Sequence, residues 1–217
     1  MRMHAERVRA AGRWVSLAAA AALAGATAAG CVAAGYIAHV ASGPPKVQAL
    51  YTPTTRPTAV LVDSRNQRGV DSALRDQLAS LLTVELEDRK VVPVVAFHRI
   101  YDLRHADPRG FRQLKVDEVG RRVGAEQVIY VEILESDFVP TSAGMLLKGS
   151  LTAAVRVVDV ETGDVLWPTT MSEGYMVAVE TPFQERRAAS ADAVREAVCR
   201  LMADRIARLF YTYRVEE

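Results

Sequence analysis

Histidine and carboxylate side chains are the first candidates for chemistry in this sequence. His98 and His105 lie seven residues apart, with Asp102 and Asp107 nearby. Imidazole and carboxylate groups are ligands that zinc accepts. On one helix, however, seven residues span two turns, or about 10 Å, which is too far for both rings to bind one ion. We therefore interpret these side chains as surface groups beside a polar turn and expect no metal site.

Three carboxylates follow the apolar run that ends near residue 133. They are Glu132, Glu135 and Asp137. Paired carboxylates can serve as general acid and base, but acidic side chains at the end of a strand are more commonly solvated. We expect no catalytic role for them.

The remaining nucleophiles lie in no recognisable catalytic pattern. The sequence contains no Gly-x-Ser-x-Gly motif and no Gly-rich phosphate loop. Cys199 lies in AVCRLMADRIARLF, whose spacing of apolar residues predicts a helix. A free cysteine in such a helix usually packs as a small buried hydrophobe. We expect a protein that is not an enzyme and that binds no cofactor.

Cys31 is the residue whose surroundings predict a modification. Residues 1–13 contain four arginines, and residues 14–30 are uncharged and rich in alanine, a pattern typical of a signal peptide. The small residues Ala28, Ala29 and Gly30 before Cys31 resemble a bacterial lipobox, although Ala28 stands where leucine is usual. In such a motif the cysteine thiol takes a diacylglyceryl group and the residue becomes the new N-terminus. The sequence thus predicts a signal peptide at residues 1–30 and lipid attachment at Cys31.

An uncleaved membrane anchor is the alternative interpretation of the same stretch. No Asp, Glu, Lys or Arg occurs from residue 15 to 41, which is longer than the roughly 20 apolar residues that span a bilayer. The run is mostly Ala and Gly, which favour insertion only weakly. Both interpretations tether the protein to a membrane on its non-cytoplasmic side. Val32 stands where enteric retention signals have Asp, which favours the outer membrane.

Charge and proline content divide the rest of the chain. Four of the 27 Lys and Arg and one of the 26 Asp and Glu lie in residues 1–30, so the remainder has a formal net charge of −2. Nucleic-acid binding needs a basic stripe, and we expect no nucleic-acid partner. Pro44 and Pro45 mark a break, and Pro53 and Pro57 keep the chain extended, so residues 31–57 are predicted to form a flexible tether. A periplasmic domain at residues 58–217 follows.

The apolar pattern of that domain predicts alternating helices and strands. A continuous apolar run at residues 59–63 indicates a strand buried on both faces. A helix is predicted at residues 70–86 and a second strand at 91–95, with Pro93 favouring an edge or a bulge. Short helices follow at residues 97–104 and 116–123, the latter capped by Gly124. Residues 127–133 form the third strand, and residues 134–146 an irregular gap.

The second half of the domain predicts an antiparallel sheet and a final helix. Residues 147–156 alternate between apolar and polar side chains, and the alternation slips at Val157 and Val158, which predicts a bulge. Gly163 suits a tight turn, and Trp167 is expected to cover one end of the sheet. Strands at 165–167 and 175–179 and a helix at 191–210 complete the order β-α-β-α-β-β-β-α. We expect an α/β fold: a single sandwich with one mixed sheet and helices packed on it.

The central stretch resembles a recurring pattern of bacterial envelope lipoproteins. VGAEQVIYVEI, followed by AVRVVDVETGDVLW, is similar to the curli-secretion lipoprotein superfamily. It is also similar to lipoproteins that activate penicillin-binding proteins and to the N-terminal domain of the Tol-system translocation protein. The resemblance implies a fold of the anticodon-binding-domain type in a lipid-anchored periplasmic body. The short gap at residues 134–146 carries acidic side chains and Pro140, which argues against membrane-spanning hairpins.

The sequence leads to one expected function and two alternatives. We expect a protein held to the membrane by its lipid anchor that acts through contacts with envelope proteins in assembly, secretion or regulation. A homo-oligomeric ring within a secretion apparatus is the first alternative. A wall-fragment binding protein or hydrolase is the second, and it requires His98, Asp102 and Glu132 to line one pocket.

Overall fold

A computed structural model describes residues 45–64, 72–140, 146–185 and 190–215. The predicted signal peptide, Cys31 and the tether up to residue 44 lie outside the described residues. The described residues divide into two units: residues 45–47 with 214–215, and residues within 48–213. In the described part of the first unit, the Val215 N–H donates a hydrogen bond to the Pro45 carbonyl. The second unit contains the main sheet and the helices.

The elements follow one another in the predicted order, with additions and without the predicted second strand. The strands are β1 (Lys46–Val47), β2 (Thr58–Ser64), β3 (Gln127–Pro140), β4 (Leu146–Asp159), β5 (Val165–Trp167), β6 (Tyr175–Glu180), β7 (Gln184–Glu185) and β8 (Tyr213–Arg214). The helices are α1 (Ser72–Asp88), α2 (Phe97–Ala106), α3 (Pro108–Phe111), α4 (Val116–Val123) and α5 (Ala191–Ala207). The mixed α/β fold is confirmed.

One mixed sheet forms the centre of this unit. β2 and β3 run parallel, and β3 and β4 form a long antiparallel pair. β5, β6 and β7 pair in turn along the other side of β4. The bulge predicted at Val157 and Val158 is confirmed, because the β4–β5 register shifts between these residues. Gly124 and Gly163, both with φ of 78°, end α4 and form the hairpin turn as predicted.

Helices cover the two faces of the sheet unequally. One face, with Val60, Ile129 and Val155, packs against buried side chains of α1 and α5. The opposite face, with Leu61 and Val128, packs against α2, α3 and α4 in a smaller apolar cluster. That cluster reaches only β2, the first part of β3 and Val160 at the end of β4. Among the described residues, the outer part of the sheet therefore has helices on one face and an open face on the other.

Two predicted segments differ in the structure. The expected second strand at residues 91–95 is reduced to a single parallel bridge between Val94 and Thr58. The irregular gap expected at residues 134–146 is instead strand on both sides, since β3 extends to Pro140 and β4 begins at Leu146. A register shift between Ile133 and Glu135 lets the strand continue through Leu134 and turns the following carboxylates to the open face.

Residues 48–57, which the sequence assigns to the tether, pack on the folded unit. We call this segment the N-terminal strap. The Leu50 and Tyr51 N–H groups donate to the Leu209 carbonyl at 2.9 and 3.1 Å. Gln127, fully buried, donates through Nε2 to the Thr54 carbonyl at 2.8 Å. The fold therefore begins about ten residues before the predicted boundary.

An aromatic cluster joins the strap to the sheet. The Trp167 ring lies against those of Tyr51, Tyr175 and Phe210, with centroids 5.9, 5.3 and 6.0 Å away. Aromatic pairs at these separations stabilise the fold in addition to the contribution from their buried surface area. Trp167 covers one end of the sheet, as the sequence predicts.

Candidate interaction surface

The predicted metal and acid–base candidates lie apart and form no site among the described residues. His98, Asp102 and His105 are exposed along α2, with the His105 ring stacked on Tyr101 at 3.9 Å. Asp107 accepts a hydrogen bond from the Gly110 N–H at 2.9 Å, which caps α3. No group of three potential metal ligands occurs in the described part of the chain.

Glu132 belongs to an ion pair on the open face of the sheet. Its carboxylate accepts a hydrogen bond from Arg156 Nη2 at 3.0 Å, and the Arg156 guanidinium lies 5.2 Å from the centre of the Tyr130 ring. Glu135 and Asp137 are exposed further along the same strand. The three carboxylates are thus spread along one strand, and Glu132 is held by an arginine.

The thiol of Cys199 is buried on α5. It has no exposed surface, and burial raises its pKa to about 12. A thiol with such a pKa is protonated at neutral pH and is a poor nucleophile. Cys199 packs in the core as a small buried side chain, as the helical pattern predicts.

The free side of β6 is an accessible part of the sheet. Along β6, exposed and buried side chains alternate, with Met176, Ala178 and Glu180 exposed and Val177 and Val179 buried. Met176 is 51% and Phe183 is 59% exposed. These side chains lie beside a strand that no other described strand pairs on its outer side. We call β6 with Phe183 the open edge.

The hydrogen-bond register shows which backbone groups the open edge presents. The Thr181 N–H donates to the Gly149 carbonyl at 2.9 Å, so Thr181 points its backbone groups toward β4. In an antiparallel pair this direction alternates along the strand. The N–H and C=O groups of Met176, Ala178 and Glu180 therefore point away from β4. They form a short row of donors and acceptors that could pair with another extended chain.

Charge on the open side is acidic and partly paired. Glu180 and Lys148 form an ion pair, and the Lys148 ammonium lies 5.4 Å from the centre of the Phe183 ring. Glu135 and Asp137 add two exposed carboxylates on the same face. A partner strand with basic side chains would meet complementary charge here.

Sequence reasoning found the strand but missed its role as an edge. The alternation in YMVAVE predicts a half-exposed strand. The alternation cannot tell which neighbour the strand has, because that depends on β4, whose paired residues lie 20 to 30 positions earlier in the chain.

Comparisons with known proteins give distant structural similarities. No protein-family model and no curated protein sequence matches the chain. Lipoprotein GNA1162 from Neisseria meningitidis is 12% identical, with a TM-score of 0.43, over 70% of this chain and 97% of that chain. The PelC dodecamer from Paraburkholderia phytofirmans is 10% identical, with a TM-score of 0.39, over 77% and 97%. The LpoB C-terminal domain from Salmonella enterica is 14% identical, with a TM-score of 0.35, over 62% and 84%.

These likenesses are too distant to assign a function. The similar structures include a bacterial lipoprotein, but no specific superfamily is identified among them. No helix among the described residues is long and apolar enough to cross a membrane.

Proposed function

We propose that this protein is a lipid-anchored component of the bacterial envelope that acts through protein contacts rather than catalysis. The anchor is the acylated Cys31, the body faces the periplasm, and the outer membrane is its site. The open edge of the sheet is the surface that carries the contacts. Assembly, secretion or regulation of an envelope machine is the class of task that such a protein serves.

The sequence around Cys31 supports the anchor. An arginine-bearing start, an uncharged Ala-rich stretch and small residues directly before the cysteine are features of exported lipoproteins. Two or more acyl chains hold a protein to a bilayer firmly, because each buried methylene contributes about 0.8 kcal/mol.

The outward backbone groups of β6 are the observation that carries the contact proposal. An edge with three residues directed outward can accept an extended peptide as an additional strand. Main-chain hydrogen bonds supply affinity in this mode, while the exposed Met176 and Phe183 side chains offer apolar contact. The acidic face beside the edge favours a partner strand with Lys or Arg.

The positions of the candidate catalytic groups support a non-enzymatic role. Among the described residues, Cys199 is buried with a raised pKa, Glu132 is paired with Arg156, and the α2 histidines are exposed. A depression on α4 is lined by Glu118, Arg121 and Arg122. The wall-fragment alternative needs one pocket lined by His98, Asp102 and Glu132, and nothing in the described structure favours it.

The anchor is tested by mass spectrometry of the membrane-extracted protein. We expect the N-terminal peptide to begin at Cys31 and to carry acyl chains, and a Cys31→Ala variant to retain its signal peptide. An unmodified Cys31 in a protein that an alkaline wash releases from membranes would overturn the anchor.

The contact surface is tested by photo-crosslinking in the cell. A photoreactive amino acid at Met176 is expected to give a defined product with an envelope protein. The same group at Leu201, exposed on α5, serves as the control and is expected to give none. An Ala178→Pro change removes an outward N–H without removing a bond to β4, and it should abolish the product at position 176.

The identity of the crosslinked product separates the two remaining functions. A product with another envelope protein supports the contact proposal. A product between two copies of this chain, together with an oligomeric mass in detergent, supports the ring alternative. Equal products at Met176 and Leu201, insensitive to Ala178→Pro, would contradict a specific role for the open edge.

A further inference from the structure

The end of the body at which the chain leaves toward its anchor has a distinctive surface. At this end the Thr212 hydroxyl donates to the Gln48 side-chain oxygen at 3.1 Å, and the Leu50 N–H bonds the Leu209 carbonyl. Strap and C-terminal segment thus lie side by side. We call the side chains around this point the exit surface. They are the exposed Leu50 and Arg89 and the half-buried Arg208, Tyr211 and Tyr213.

Arginine–tyrosine pairs dominate the exit surface. The Arg89 guanidinium lies 5.5 Å from the centre of the Tyr211 ring, and that of Arg208 lies 4.8 Å from the centre of the Tyr213 ring. The two tyrosine rings meet edge to face at 6.1 Å. Leu50 is 53% exposed beside them. Amphipathic groups of this kind, with an apolar body and a polar tip, suit the boundary between water and lipid.

The strap joins the exit surface to the part of the chain that leads to Cys31. The strap is held at Leu209, at Gln127 and, through the Arg56–Asp159 ion pair of 3.0 Å, at the end of β4. Only residues 32–47 separate it from Cys31. A chain of sixteen residues spans at most about 55 Å when fully extended. The exit surface is therefore confined to the neighbourhood of the bilayer.

Because the exit surface is held near the bilayer, weak contacts with lipid are sufficient to keep it there. A short flexible connection holds its two ends at effective concentrations in the millimolar range. A surface that binds lipid only weakly in free solution would then be occupied for much of the time. No additional anchor is required.

We propose that the exit surface of this protein contacts the phospholipid headgroups of the membrane that holds the anchor. The inference rests on the proposed membrane attachment and adds an orientation to it. The α5 end and the strap face the bilayer. The Leu50 side chain and the two tyrosine rings enter the headgroup layer, and the guanidinium groups meet lipid phosphates.

The net charge of the exit surface determines which lipid headgroups it contacts. Arg89 pairs with Glu85 at 3.0 Å, and Arg208 pairs with Asp204 at 2.9 Å. Since both cations already have a carboxylate beside them, the exit surface has little net charge. Contact should form on zwitterionic phosphatidylcholine and should change little with salt, unlike binding by a polybasic segment.

Spin labels on the full mature protein test the proposal. The acylated protein is placed in phosphatidylcholine vesicles with a nitroxide at Thr212→Cys, and in a second preparation at Met176→Cys on the open edge. Cys199 is buried and protonated, so it should not take the label. We expect the Thr212 label to be several-fold less accessible to a water-soluble nickel complex than the Met176 label.

Substitutions identify the groups responsible. Replacing both Arg89 and Arg208 with Ala is expected to raise the nickel accessibility at Thr212 to the level at Met176. Arg200→Ala, which removes an exposed cation on α5 that pairs with Glu196, is the matched control and should change nothing. A thermal unfolding curve of each variant separates loss of contact from loss of fold.

The outcomes separate this inference from the attachment itself. Protein that remains on the vesicles with equal accessibility at Thr212 and Met176 would overturn the orientation alone. Protein with an unmodified Cys31 that leaves the vesicles would overturn both. Protection at Thr212 that the arginine substitutions remove would support the exit surface as the lipid-facing end.

Discussion

The two lateral edges of the main sheet differ in almost every respect. All but one residue of β2 are buried, and helices lie on both of its faces. At its start, the Thr58 N–H donates to the Pro93 carbonyl and the Val95 N–H donates to the Thr58 carbonyl, both at 2.8 Å. β6 alternates between exposed and buried side chains and has no described strand on its outer side. One edge is closed by packing, and the other is unpaired among the described residues.

The difference follows from the sequences of the two strands. An uninterrupted apolar strand is stable only when both faces are covered, and β2 has the sequence TAVLVDS. An alternating strand such as YMVAVE can keep one face in water. The same sheet therefore combines an edge that must be closed with an edge that can remain open.

The largest expected contrast between the edges is in stability. Leu61→Ala removes a side chain that is 3% exposed between β2 and the α2–α4 layer. It should cost about 2–5 kcal/mol of unfolding free energy, because it leaves a cavity. Met176→Ala on the open edge should change stability by less than about 0.5 kcal/mol. Urea unfolding of both variants measures the contrast, and equal losses would contradict it.

A second prediction concerns Asp159, which helps to hold the strap next to β2. Its carboxylate accepts hydrogen bonds from the Thr162 and Glu161 N–H groups and from Arg56. Asp159→Asn should cost about 1–3 kcal/mol at neutral pH, since bonds to a charged group are lost. Asp164→Asn, on the exposed hairpin, is the control and should cost little.

The pH dependence of Asp159 has a definite sign. The Thr162 N–H, followed by Arg56 and the Glu161 N–H, lowers the pKa of this carboxyl despite partial burial. A lowered pKa in the folded state stabilises the protein above the unfolded value of about 3.9, and this stabilisation is lost as pH falls through the folded pKa. Asp159→Asn should therefore flatten the loss of stability below about pH 5. Parallel curves for the wild type and the variant would contradict this assignment.

Local sequence patterns are sufficient to predict most helices, strands and turns. They are insufficient to predict which strands and segments form the edges of the sheet. Helical spacing predicted α1 and α5, and Gly124 and Gly163 occupy the turn positions expected of them. Residues 91–95 have the composition of a strand, yet only Val94 bridges to β2. The prolines of the strap suggested a free tether, but its partner is the Leu209 carbonyl, far along the chain. Such pairings depend on the tertiary fold and leave no local signal.

The candidate surface was harder to predict than the fold. Helical periodicity alone predicts the burial of Cys199 and the distance that keeps His98 and His105 from sharing one metal ion. It does not predict the open edge, because edge position is a property of the strand order. Glu135 and Asp137 were assigned to an irregular gap, whereas the register shift at Leu134 keeps them on a strand.

A third prediction uses the hairpin between β4 and β5. Gly163 has a φ of 78°, and a Cβ at this position would find its nearest neighbour, Asp117 Cγ, 3.7 Å away. Space is sufficient, so Gly163→Ala should cost only the conformational term of about 1–2 kcal/mol. Gly163→Asn should cost less, because asparagine tolerates this conformation. Thermal unfolding of the pair separates backbone strain from a steric clash, which would make Asn the worse substitution.

The smallest expected effect lies at the open edge and sharpens the comparison most. Lys148 and Glu180 form an ion pair with side chains 31% and 61% exposed. Exposed pairs contribute about 0–1 kcal/mol, so Lys148→Ala should barely change the urea midpoint, and added salt should reduce even that change. A loss well above 1 kcal/mol would mean that β6 depends on this pair to stay on the sheet. The edge would then be a labile element rather than a preformed docking strand, and a partner would have to order it before binding.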